Sequence, residues 1–171
     1  MTKTALQRQR YDYIDSCIFL HHIFEEGTVC RRYLNLVGYK RHNKGMVSHF
    51  VMGEIVINLL LKLKKRDPVQ EILLKERAFL LLDDTIRQLR ANDNLLILRL
   101  TGAIADTSLF KELKAVDAFL TDDDALHLLV AIKEGCSRFV TLDQELAKNE
   151  RLRQHLIAKY NMRILDLNNQ I

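Results

Sequence analysis

Four acidic residues stand where a folded chain does not leave a charge without reason. Asp15 lies in the apolar run "YDYIDSCIFL" (11–20), inside an expected strand, where no capping or surface role is evident. Glu54 has Phe50, Val51, Ile57 and Asn58 as its neighbours at three and four residues, which puts it on a largely apolar helix face. An ionised carboxylate in such surroundings is costly unless a partner meets it. Asp124 in "TDDDALHLLVAI" and Asp143 in "TLDQEL" each have a plain reading as helix caps. Both also fall at junctions where an expected strand or loop hands over to a helix.

Carboxylates gathered in one pocket repel each other, and their protons bind more tightly unless a cation is present. A ligand set of oxygens alone favours the hard cations Mg²⁺ or Mn²⁺. Such an ion neutralises charge at a phosphoryl centre and lets water act as a nucleophile. Between Cys30 and Arg66 the chain carries nine basic residues against a single acid, Glu54. Arg31, Arg32, Lys40, Arg41 and Lys44 are the candidates in that stretch for holding a phosphate backbone. Acids and bases together imply metal-dependent phosphodiester hydrolysis. Taken alone, the basic run reads equally as a solvated face.

The elements that would position these groups follow from pattern. The chain has 171 residues, 48% of them apolar, with one Pro and six Gly, a composition for one helix-rich folded domain over 1–171. Residues 1–10 read as an N-terminal extension and 62–93 as an extended helical segment. Strands are expected at 12–19, near 46–48, and at 94–100, 138–142 and 162–167. Helices are expected at about 20–36, 49–65, 69–91, 104–118, 123–135 and 144–159. This alternation predicts an α/β fold with a parallel sheet, whose ligands sit beyond the carboxyl ends of the strands.

Other classes lack support. The stretch "FVMGEIVINLLLKL" is broken by Glu54, Asn58 and Lys62, so no membrane span is expected. The first ten residues lack a signal-peptide core. Cys17, Cys30 and Cys136 have no metal-site spacing, which points to a reducing, cytoplasmic setting, with Cys17 as a small core residue. No phosphate-cradling glycine motif is present. His21 and His22 read as surface helix residues, and His49 as a neighbour of a phosphate. His127, one turn from Asp124, reads as a packing residue that could touch the site. Tyr33 and Tyr39 suit base stacking or partial burial.

In sequence order, these blocks resemble the PIN-domain ribonucleases. "YIDSCIFL" matches their first strand with its closing Asp and following Ser or Thr. Ser48 and Glu54 in "VSHFVMGEIVINLL" match the Ser or Thr that starts the Glu-bearing helix. "DDALHLLVAIKEGCSRFVTLDQEL" matches the Asp-Ala-Leu helix and the strand ending Thr-x-Asp. The resemblance spans about residues 11–167. It implies a three-layer α/β/α sandwich around a five-stranded parallel sheet of order 3-2-1-4-5. It also implies that Asp15, Glu54, Asp124 and Asp143 bind Mg²⁺ or Mn²⁺, with Asp122 or Asp123 as alternatives to Asp124. Ser16, Ser48 and Thr141 would orient the carboxylates or water. The activity implied is endoribonuclease cleavage of RNA, as the toxin of a toxin–antitoxin pair or as an RNA-processing nuclease, with an antitoxin or a second copy of the chain as partner. A catalytically inactive PIN-like module that binds RNA or protein is the alternative. A phosphatase or receiver domain also places an Asp after the first strand, but its further acids and its Lys are missing.

Overall fold

The computed structural model describes residues 10–24, 29–39, 42–98 and 106–169. Five short strands form one sheet: β1 (Tyr11–Ile14), β2 (Lys44–Ser48), β3 (Leu95–Leu98), β4 (Arg138–Thr141) and β5 (Arg163–Asp166). All pair in parallel, in the order β3-β2-β1-β4-β5. The expected sheet order is the observed one.

Helices α1 (Ser16–Phe24), α2 (Val29–Leu36), α3 (His49–Lys62) and α4 (Pro68–Ala91) pack among themselves. So do α5 (Thr107–Val116), α6 (Asp122–Lys133), α7 (Gln144–Lys148) and α8 (Glu150–Tyr160). The chain moves one way across the sheet from β1 to β3 and the other way into β4 and β5. Right-handed crossovers therefore put the two helix groups on opposite faces. β1 lies at the centre, and its Tyr13 and Ile14 are fully buried.

Local chemistry sets most helix ends. Ser48, Asp67, Asp106, Thr121, Asp143 and Asn149 each accept a backbone N–H at the start of a helix. After α6, Gly135 takes φ +68°, while the N–H groups of Gly135 and Cys136 bond to the carbonyls of Ile132 and Ala131. That paired closure needs a residue free of left-handed strain, and it turns the chain directly into β4.

Two expectations are corrected. The strand expected at 12–19 ends at Ile14, and "SCIFLHHIF" is helix α1, so helix begins at Ser16 rather than at residue 20, and residues 25–28 of the helix expected at 20–36 lie outside the described residues. Ile18, Phe19 and Leu20 are consecutive and all buried. A short continuous apolar run has no period that separates a buried helix from a buried strand. The helix expected at 144–159 is two, because Asn149 closes α7 and caps α8 by accepting from Leu152 N at 3.0 Å.

An ion pair with a buried carboxylate and a half-buried guanidinium pins β1 to β4. Asp12, 1% exposed, accepts from Arg138 Nε at 2.7 Å and Nη2 at 2.6 Å, from Asn43 Nδ2 at 2.7 Å and from the Tyr33 hydroxyl at 2.9 Å. Asp12 and Arg138 are direct cross-strand neighbours. Every oxygen of the carboxylate is occupied, as a charge taken out of water requires.

Candidate metal centre

In a parallel sheet all carboxyl ends open on one edge, and at β1 the strand order reverses, which leaves a crevice there. Asp15 is the residue after β1, with its N–H bonded to Val140 O of the neighbouring strand at 3.1 Å. Leu142 and Asp143 follow β4, Glu54 comes from α3, and Asp124 from the first turn of α6. Together with Ser16, Cys17 and His127 they line one cavity of about 390 Å³. An oxygen of Asp15, an oxygen of Glu54 and a ring nitrogen of His127 lie within 4.8 Å of one another. The four acids anticipated from sequence thus line one space.

Each carboxylate is held differently. Asp15 Oδ2 accepts from Thr141 Oγ1 at 2.6 Å and from Cys17 Sγ at 3.1 Å, and Ser16 Oγ donates to Oδ1 at 3.4 Å. The same Thr141 hydroxyl accepts from Asp143 N at 2.9 Å, so one group registers two of the acids. Burial pushes the Cys17 thiol up, which keeps it a donor beside Asp15. Partly buried, it packs against the core and also lines the cavity. Asp143 spends Oδ1 on Glu145 N and Leu146 N at 2.8 and 3.1 Å, so it caps α7 and lines the cavity at once.

Asp124 rather than Asp122 or Asp123 turns inward. Asp122 is exposed and pairs with Lys114 at 3.0 Å, and Asp123 is exposed. Asp124 Oδ2 accepts from Thr121 Oγ1 at 2.6 Å. Burial first, then the negative potentials of Asp143 and Asp15, raise the Asp124 carboxyl above the usual range. The Glu54 carboxyl moves the other way. Burial raises it, but the hydrogen bond from His127, with help from Ser16, outweighs that and leaves it lowered. Crowded carboxylates of this kind fit a divalent cation.

A raised folded-state carboxyl contributes stability below the unfolded value that is lost as pH rises through the folded value. Asp124→Asn should therefore raise the Tm of the metal-free protein at neutral pH by about 2 °C, with the gap closing as pH falls through the carboxylate range. Differential scanning fluorimetry across pH checks this. Asp122 and Asp123 remain to serve the α6 dipole.

The basic candidates are not gathered at this cavity. Lys44 opens β2, at the opposite end of the sheet from Asp15, and pairs with Asp93. Arg31 and Arg32 are exposed on α2, and Lys40 and Arg41 lie outside the described residues. Tyr33 is turned to Asp12 rather than outward. His22 Nε2 meets Thr85 Oγ1 at 3.2 Å and is half-buried, not a surface side chain.

His127 is 3% exposed and its Nε2 lies 2.9 Å from Glu54 Oε2. Tyr13, a core residue of β1, places its hydroxyl 3.1 Å from His127 Nδ1 and 2.8 Å from Ser48 Oγ. The one sequence signal for this was the turn-length spacing of Asp124 and His127.

The five-stranded parallel sheet in this order, with its two groups of helices, defines a PIN-like α/β fold. No protein-family profile matches the sequence, and no curated protein does. Among solved structures the chain is similar to one in the VapBC2 complex from Rickettsia felis bound to a DNA fragment from their promoter. The TM-score is 0.62 at 16% identity, over 91% of this chain and 98% of that one. Among the described residues, no helix is long and apolar enough to cross a membrane.

Proposed function

We propose that the protein is a divalent-metal-dependent endoribonuclease. One observation carries this reading: carboxylate oxygens of Asp15 and Glu54 reach within 4.8 Å of each other in a cavity that Asp124 and Asp143 also line. Asp15, Glu54 and Asp124 would hold Mg²⁺ or Mn²⁺, with Asp143 assisting through its free oxygen. The ion would offset charge at a phosphoryl centre and ease ionisation of water. Thr141 and Ser16 fix the Asp15 carboxylate, and Thr121 fixes that of Asp124, so the acids are oriented before the ion arrives.

On the likeness to VapBC2, a toxin role with an antitoxin partner extends this reading. The exposed apolar side chains Ile57, Leu61, Ile72 and Leu73 on α3 and α4 offer a surface for such a partner or for a second copy.

Calorimetric titration of the metal-free protein with MnCl₂ tests the centre. Micromolar to millimolar binding, with a Tm rise of about 5 °C or more at 100-fold excess over Kd, is expected. No binding at 10 mM Mn²⁺ or Mg²⁺ sinks the metal centre and favours an inactive RNA- or protein-binding module.

A further inference from the structure

We infer that His127 is a positioning residue for Glu54, locked in one tautomer by a buried hydrogen-bond chain through Tyr13 and Ser48, and that it is not itself a metal ligand. The inference rests on the proposed metal centre for its purpose but not for its geometry.

The chain runs Val51 N–H, Ser48 Oγ, Tyr13 hydroxyl, His127 ring, Glu54 carboxylate, with separations of 3.2, 2.8, 3.1 and 2.9 Å. Ser48 and Tyr13 are fully buried and His127 nearly so, while Glu54 is 22% exposed at the cavity mouth. Buried polar groups need partners, and proton positions follow from satisfying all of them. Ser48 Oγ already accepts from Val51 N–H, which leaves its own proton for Tyr13. The Tyr13 oxygen then accepts that proton and its hydroxyl donates to His127 Nδ1. The ring proton therefore sits on Nε2 and donates to Glu54, an acceptor only. Reversing the chain leaves the Ser48 proton without an acceptor among the described residues.

Nearness to Asp15 and Glu54 makes His127 look like a third ligand. A ligating Nε2 needs its lone pair, yet here that nitrogen carries the proton aimed at Glu54. The rings pin the imidazole further: Phe50 lies tilted against it at 4.7 Å between centroids, and Tyr13 at 5.9 Å. With its ring fixed on three sides, His127 can hold one carboxylate oxygen of Glu54 and leave the other for an ion. The burial of Ser48 and Tyr13 then has a functional account: they set the tautomer of a residue two bonds further on.

Two measurements decide this. Long-range ¹H–¹⁵N NMR of the metal-free protein at pH 7 should show His127 as the Nε2–H tautomer, with a proton resonance that shifts in Glu54→Gln. An Nδ1–H tautomer overturns the inference whatever the metal does. Mn²⁺ titration by EPR then compares variants. His127→Leu should weaken Mn²⁺ binding about 10- to 100-fold, and His127→Gln, which keeps a donor toward Glu54, should recover most of it. Tyr13→Phe should weaken binding less than His127→Leu. Circular dichroism screens each variant for folding, and if His127→Leu fails to fold, His127→Gln and Tyr13→Phe carry the comparison. Pulsed EPR showing a directly coordinated imidazole nitrogen in the wild type overturns the inference, as does equal loss in Leu and Gln variants. Wild-type protein that binds no Mn²⁺ refutes the metal centre instead, and the tautomer measurement then decides the His127–Glu54 assignment alone.

Discussion

Asp15→Asn is expected to abolish RNA cleavage while leaving the protein folded. The carboxylate stands at the strand switch point, with an oxygen within 4.8 Å of one from Glu54. Changes to groups that merely support a metal ligand cost about 10- to 100-fold, so removing a charged ligand should exceed that range. The fold should survive because Asn keeps an oxygen to accept the 2.6 Å bond from Thr141, and Ser16 can turn its hydroxyl to accept from the new amide. Removing one member of a repelling group also relieves the pressure that raises the Asp124 carboxyl. The readout is cleavage of a generic RNA pool in Mn²⁺, beside circular dichroism and a Tm. Undiminished cleavage by a nuclease-free preparation of the variant would remove the four acids from the mechanism.

The largest stability effect should come from the other end of β1. Arg138→Met takes the guanidinium from a carboxylate that is 1% exposed and leaves only Tyr33 and Asn43 to hold it. Breaking a buried pair in this way typically costs about 3–5 kcal/mol, a large part of a domain's stability. Replacing both partners is far milder, since no charge is then stranded. The double variant Asp12→Asn with Arg138→Met should therefore recover most of the loss. Urea unfolding followed by circular dichroism measures both. A single variant within 1 kcal/mol of wild type would mean that water reaches Asp12 and that its burial in the structure overstates the cost.

Much of this was readable in the residues. Asp15 and Glu54 declared themselves as charges among apolar neighbours, and strand–helix alternation gave a parallel sheet. The choice among Asp122, Asp123 and Asp124 was not readable, because it depends on how α6 rotates about its axis once Ala125 and Leu128 are buried. Nor was the extent of β1, since "CIFL" suits either kind of buried element. The link from His127 to Glu54 spans 73 residues, and its far end at Ser48 lies on another element still. Local pattern has no access to pairings of that kind. Asn149 shows the opposite case: a lone capping residue inside a helical pattern was a local signal for a break.

The Asp12–Arg138 pair has a bearing on assembly as well as on the finished molecule. Asp12 faces Arg138 in the β1–β4 ladder, and Asp15 stands three residues further along, about 10 Å away. If β1 slipped by one residue against β4, Asp12 would face Ser137 or Phe139 and be buried without its cation. The same slip would carry Asp15 out of reach of Thr141. A chain that has paired these strands wrongly is thus penalised whether or not a ligand or substrate is present. The ion pair works as a proofreader of register, and the alignment it checks is the one that sets the crevice.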